Sequence, residues 1–315
     1  MILKSFRNVT LCSIIAVFSI SVRAQQITSI ENEFIKVEIS SRGGEIQSVT
    51  SKKTGKQYIH NDKKIWKNKA PLMFPVAVRY KDNAYTYKGQ HYTMPTMGLL
   101  MRSQIEVKKT SPSSASCTFQ SSAKTKKNYP FDFSLTIVYK LEENELIHEF
   151  IIENLSNDFM YYDLGGHPIF ALSLGDNKTR EDYQFTFSKP VTIKRHPIVK
   201  ALKQTSALSF LKNDTALDID DQRMPKQGGI LLLDFPKTTV VGIAEKGKKP
   251  FIEINIGNFN NLNLWAPNDK PILAIEPMIG HHDGQESPLA IEEKPQVATL
   301  KPKEIKSCHF SLFIY

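Results

Sequence analysis

The sequence predicts an all-β protein, a large antiparallel β-sandwich, because its apolar residues recur with period two and no helical period competes with them. Ile35, Val37 and Ile39 alternate with polar residues, as do Phe131, Phe133, Leu135, Ile137 and Tyr139. After the first 24 residues no stretch carries apolar residues at i, i+3, i+4 and i+7 over several turns. Glycine, proline, asparagine and aspartate punctuate the chain at short intervals, as many short strands require.

Taken in order, residues 35–39 form a half-buried strand that ends before Gly43-Gly44. Residues 131–139 run up to a Glu142-Glu143-Asn144 turn, after which Leu146, Phe150 and Ile152 resume the pattern, so this pair is a hairpin. Short apolar runs follow in GGILLLDF, TTVVGIA, PFIEINI, NLNLW, PILAIEPM and HFSLFIY, each the length of one strand. Residues 200–227 are polar and irregular and are expected to be a long loop over the sheets, not a domain boundary. With no internal repeat and no low-complexity linker, residues 25–315 are expected to be a single domain.

The chain has 315 residues, of which 41% are hydrophobic and 23% charged, the balance of an ordinary globular protein with a sizeable core. Residues 1–24 differ from the rest. Lys4 and Arg7 lead into VTLCSIIAVFSIS, and Val22-Arg23-Ala24 precedes Gln25, the pattern of a cleaved secretory signal peptide. That apolar run is shorter than the roughly 20 residues a membrane-spanning helix needs, and no later run approaches that length. The expectation is an exported protein, periplasmic or extracellular, with no membrane span.

Cleavage would remove Lys4, Arg7 and Arg23 from 41 basic residues, leaving 38 against 32 acidic ones, a net charge of +6. The lysines come in small groups (Lys124, Lys126 and Lys127; Lys246, Lys248 and Lys249) without interleaved aromatics, so a solvated surface is expected and no nucleic-acid partner. Cys117 and Cys308 would survive cleavage; two thiols are no disulfide framework, and sequence leaves their pairing open.

Three segments concentrate chemistry. In PILAIEPMIG, Ile272, Ala274 and Glu276 share one strand face, so a carboxylate sits in an apolar strand, either paired structurally or held with a raised pKa. In LGGHPIFAL, His167 lies between Gly165-Gly166, which permit unusual backbone angles and close approach, and Pro168, which fixes the next step. It is either a satisfied core histidine or one held out by its backbone. In IWKNKAPLMFPVAVRY, Trp66, Pro71, Phe74 and Pro75 precede Arg79, whose guanidinium needs acceptors from the protein or from a ligand.

Together these segments, W-x-x-x-A-P-x-x-F-P-x-x-x-R, then G-G-H-P-x-F, then I-E-P after a tryptophan strand, resemble the aldose 1-epimerase (galactose mutarotase) family, above all its shorter bacterial branch. NEFIKVEISSRGGEIQSV, residues 32–49, is similar to the family's opening strands, and the likeness runs from about residue 32 to the C-terminus. The resemblance implies a galactose mutarotase-like supersandwich. It also implies interconversion of the α and β anomers of a free aldose without cofactor or metal. Glu276 would be the base at the C1 hydroxyl, His167 the acid at the ring oxygen and Arg79 a substrate contact. Unperturbed pKa values near about 4.3 and 6.5 suit those roles only if burial raises the glutamate and a hydrogen bond keeps the histidine protonated.

One departure stands out. Where the family has a histidine followed by glycine, phenylalanine, alanine and arginine, this chain has Met97, Gly98, Leu99, Leu100 and Met101, with Arg102 one position late. His91 lies roughly 20 Å away along an extended chain and cannot substitute. Three readings follow: a slower or differently selective mutarotase, a site suited to a less polar sugar such as a deoxy sugar, or a non-catalytic carbohydrate-binding protein. A scaffold or surface-interaction protein is the remaining class. Asp214 loosely resembles a sugar-contacting aspartate of the family or is a solvated acid, and Trp265 offers a ring face to a sugar or belongs to the core. His281-His282-Asp283 reads as a loop in which neighbouring histidines point apart, not as a metal site.

Overall fold

The computed structural model of the protein describes residues 25–173, 178–200, 202–220, 223–224, 229–267 and 270–315. The expected signal peptide, residues 1–24, lies outside the described residues. Within them the chain is β-structure throughout, and the helical elements are three-residue 3-10 turns. The all-β expectation therefore holds.

Two large antiparallel sheets carry the fold. One has nine strands, whose centre is the hairpin of Phe133–Glu142 and Glu145–Asn154 with Ile305–Ile314 beside it. The hairpin strands alternate strictly between buried residues and half-buried or exposed ones, as one face against a core and one toward solvent requires. The other sheet has Gly229–Leu232, Asn261–Trp265, Ile272–Ile279, Leu164–Gly166 and Leu72–Met73 in that order, with Ile169–Ala171 also paired to Ile272–Ile279. Leu262, Leu264, Leu273 and Ile275 on this sheet share one hydrophobic core with Phe133, Ile137, Phe150 and Phe310 on the first. The opposite face of the smaller sheet is left to form a site.

Residues 200–227 correct the sequence reading. They are not simply a long loop: Leu208–Asp218 is an eleven-residue strand at the edge of the nine-stranded sheet, paired with Tyr183–Arg195. The register of that pair shifts three times, which breaks the period-two pattern, and the strand's charged residues are those expected of an exposed edge.

The two cysteines lie on one rung of the nine-stranded sheet: Cys117 pairs with Ile137, Ile137 with Phe150, and Phe150 with Cys308. Three inter-strand steps place them about 14 Å apart, beyond the roughly 7 Å reach of a disulfide. Both are free and buried, and burial pushes each thiol up to about 12. Neither thiol should react with iodoacetamide in the native protein, whereas both should be alkylated in denaturant without reductant. Peptide mapping by mass spectrometry checks this, and a Cys117–Cys308 disulfide peptide would contradict it.

Candidate active site

The strand Ile272–Ile279 has two kinds of neighbour on its outward face. Ile272 and Ala274 pack with Ile169, Trp66 and Trp265, while Met278 packs with Met73, Ala77, Leu231, Val78, Met97 and Ile198. Glu276 stands between these two apolar clusters. Its residue is 1% exposed, so the carboxyl has been taken out of water.

Pairing brings two groups to it. Asn263 is its direct partner on the neighbouring strand, and Asn263 Nδ2 donates to Glu276 Oε1 at 2.7 Å. On the other side Gly165 pairs with Met278 and Ile169 with Ala274, so counting inward from both ends sets His167 opposite Glu276. The ladder is interrupted there. Pro168 has no N–H to give, and the His167 N–H donates at 2.9 Å to the Pro71 carbonyl instead. The ring then meets the carboxyl, with Nε2 3.3 Å from Oε1.

The double glycine serves close approach, not unusual angles. Neither Gly165 nor Gly166 has positive φ. A Cβ at Gly165 would come within 2.6 Å of Met73 Cε, and one at Gly166 within 2.6 Å of the Phe310 ring in the facing sheet. The strand that leads into His167 is therefore pressed by Met73 of its own sheet on one face and by Phe310 of the facing sheet on the other.

Burial pushes Glu276 up to about 8, opposed by the Asn263 hydrogen bond, which favours the anion. The same burial pushes His167 down to about 4, opposed by the pull of its own backbone and assisted by nearby His282. A raised carboxyl and a lowered imidazole make this 3.3 Å contact at neutral pH one between neutral groups, not an ion pair. The sequence reading needed burial to raise the glutamate, which it does, and a hydrogen bond to hold the histidine protonated. His167 Nδ1 is buried without such a partner. Oε1 receives both contacts, and no hydrogen bond to Oε2 occurs among the described residues.

The pair lines a cavity of about 330 Å³, at the small end of the range for small-molecule sites. Trp66 and Trp265 meet edge to face, 5.0 Å between centroids, and Trp265 lies 5.8 Å from the His167 ring. Val78, Met97 and Ile198 also line it, with Lys200, Gly229 and His282. Two larger surface grooves, of about 590 and 640 Å³, contain no buried acid–base pair.

Of the residues singled out in the sequence, the structure brings His167, Glu276, Trp265 and Met97 to this cavity. Arg79 is not in its lining; it is half-buried, directly after the wall residue Val78, and its carbonyl accepts from Asp283 N at 3.1 Å. Asp214 is not there either. It sits on the edge strand Leu208–Asp218, accepting from Lys212 N at 2.9 Å and 3.5 Å from Arg223. His91 is exposed on the separate hairpin strand Gln90–Thr93.

The His281-His282-Asp283 loop splits as adjacent residues do. The His282 ring lines the cavity, His281 Nδ1 lies 2.7 Å from the His282 carbonyl, and Asp283 makes a buried ion pair of 2.6 Å with Lys294. No group of three or more potential metal ligands occurs among the described residues. Sequence reasoning missed Asn263, Trp66 and His282 as site residues. The signal for Asn263 was present in NLNLW, where Asn261, Asn263 and Trp265 share a face, but its pairing with Glu276 required the register.

A sandwich of this kind, with a buried carboxyl and imidazole beside an aromatic-walled cavity, is galactose mutarotase-like in fold. A sequence profile of the aldose 1-epimerase family matches residues 25–220, and the chain belongs to that family. It is 26% identical over 299 residues to Protein LacX of Lactococcus lactis subsp. lactis, in both its plasmid and chromosomal forms, covering 90% of this chain and 98% of that one. Among solved structures, a galactose mutarotase related enzyme from Lactobacillus acidophilus superposes with a TM-score of 0.86 at 27% identity, covering 92% of this chain and 97% of that one. A galactose mutarotase-like protein from Lactobacillus casei ATCC 334 gives 0.84 at 24% identity, with coverage of 92% and 100%, a likeness of fold.

Two outcomes follow from the buried pair. Replacing Asn263 by leucine removes the bond that favours the carboxylate, so the Glu276 midpoint should rise above about 8; carbon-13 NMR of labelled glutamate reads this, and an unmoved midpoint would count against it. Stability should also depend on pH. Between about pH 6.5 and 8 the unfolded chain has released both protons while folded Glu276 keeps its own, so stability should fall as pH rises, by up to about 1.4 kcal/mol per unit. Below about 6.5, depressed His167 gives the opposite slope and offsets Glu276, while buried His148 and His281, lowered as well, make stability rise with pH there. In urea titrations Glu276→Gln should flatten the fall between pH 6.5 and 8; equal slopes in both proteins would mean that Glu276 is ionised throughout.

Proposed function

We propose that the protein is an aldose 1-epimerase that converts the anomers of a free aldose by opening and reclosing its ring. The observation that carries this reading is the 3.3 Å contact of a buried carboxyl and a buried imidazole inside a sugar-sized cavity. Ring opening needs a base for the C1 hydroxyl proton and an acid for the ring oxygen; closure on the other face reverses both transfers. One acid and one base that share a single proton suffice.

Glu276 is assigned the base and His167 the acid. At rest the shared proton belongs to Glu276, so this assignment requires it to pass to His167 when sugar binds, and the Nε2–Oε1 contact supplies the path. Asn263 favours the resulting carboxylate through its bond to Oε1. Trp66 and Trp265 offer apolar ring surface to a pyranose. Met97 in place of the family's histidine leaves the sugar one polar partner fewer, which supports altered selectivity. No step requires a cofactor. A leader at residues 1–24 and an exported location remain part of this reading.

The test is NMR or polarimetric relaxation of freshly dissolved α-aldoses. Acceleration should drop by about 10²- to 10⁴-fold in Glu276→Gln and in His167→Asn, both folded. The profile of kcat/KM against pH should be bell-shaped with limbs near 4 and 8, because the pair must hold one proton in total and either tautomer gives the same limbs. Binding of sugar with no acceleration would make the cavity a carbohydrate-binding site instead.

A further inference from the structure

The cavity is asymmetric along the strand that carries Glu276. Toward Ala274 its wall is aromatic, Trp66 and Trp265; toward Met278 it is aliphatic, Val78, Met97 and Ile198. The aliphatic wall is a built feature. Val78 has φ of 70° and Met97 of 63°, the left-handed region that side chains avoid and that a β-branched residue almost never enters. Met97 N–H donates to the Val78 carbonyl at 2.6 Å, which ties the two together. Gly98, with φ of 70°, follows so close to Phe74 that a Cβ would collide with its carbonyl. Strained residues persist only where their surroundings hold them, and they concentrate at ligand sites. Here two of them line one side of one cavity.

The polar side chains of the lining are His167, Asn263, Glu276, His282 and the exposed Lys200, and none belongs to Val78, Met97 or Ile198. His167, Asn263 and Glu276 are joined in one cluster at the reacting centre. A sugar hydroxyl turned toward Val78, Met97 and Ile198 would lose water and meet no donor and no acceptor stronger than the Met97 thioether, whereas a methyl group there would gain by burial. The ring oxygen assigned to His167 is bonded to C5, so the C5 substituent is the exocyclic carbon nearest the reacting atoms. A methyl at C5 protrudes from the ring and can reach a wall; an in-ring methylene cannot.

We infer that the site selects 6-deoxyhexoses, with the C5 methyl group seated against Val78, Met97 and Ile198. This rests on the mutarotase reading of the same cavity. It is tested with two series of matched ring stereochemistry: D-fucose, L-arabinose and D-galactose, and 6-deoxy-D-glucose, D-xylose and D-glucose. Within the better-accepted series, kcat/KM for the deoxyhexose should exceed that for the hydroxymethyl sugar by about 10- to 100-fold and that for the pentose by about 10-fold, the range one group commands in an apolar pocket. Met97→Gln and Ile198→Thr, which put hydrogen-bonding groups on the wall, should each bring the first ratio toward unity.

Equal turnover of the deoxy and hydroxymethyl sugars in both series would overturn the inference while leaving the mutarotase reading intact, as would an unchanged ratio in both variants. If no sugar is accelerated, that reading fails and calorimetric Kd values decide the inference: tighter binding of the deoxyhexose supports it, and equal or weaker binding overturns it.

Discussion

A carboxyl group held inside an apolar strand face governs the geometry around it. Glu276 can be buried because Asn263 donates to it from one neighbouring strand and His167 meets it from the other. An isolated buried carboxylate would be expensive, and the protein meets that cost by raising the pKa and supplying partners on the same rung. The sheet register, the break at Pro168 and the small residues at Gly165 and Gly166 all serve to bring three side chains from three strands to one point.

That arrangement uses the outward face of the smaller sheet, while its other face builds the main core with the nine-stranded sheet. The two faces of the strand therefore divide: Leu273 and Ile275 hold the layers together, while Glu276 lines the cavity between the apolar clusters of Ala274 and Met278. The loop beyond the strand is fixed separately. Asp283 is held by Lys294 at 2.6 Å and by Gln296 at 2.9 Å, so His282 is delivered to the cavity by a buried ionic network that does not itself touch it.

Membership of the aldose 1-epimerase family and the likeness to galactose mutarotase-like structures agree with this division. The cavity wall has its own constraint, in that Val78 and Met97 both take positive φ and are tied by a backbone hydrogen bond. The His167–Glu276 pair and the wall are on different elements. The segments around Val78 and Met97 can thus vary without disturbing the rung that holds His167 and Glu276.

The sequence by itself determined the fold class, the hairpin of residues 131–152, and the odd placement of Glu276 and His167, because period-two burial and a charge in an apolar run are local signals. It misjudged residues 200–227, since an exposed edge strand with repeated register shifts loses that period. It also could not separate Cys117 from Cys308, whose spacing depends on how many strands lie between them. Only the tertiary structure placed Asn263 beside Glu276, set Val78 rather than Arg79 on the cavity wall, and left Asp214 on a distant edge. Those outcomes depend on register and on backbone angles such as φ of 70° at Val78, which arise from contacts between segments far apart in the chain.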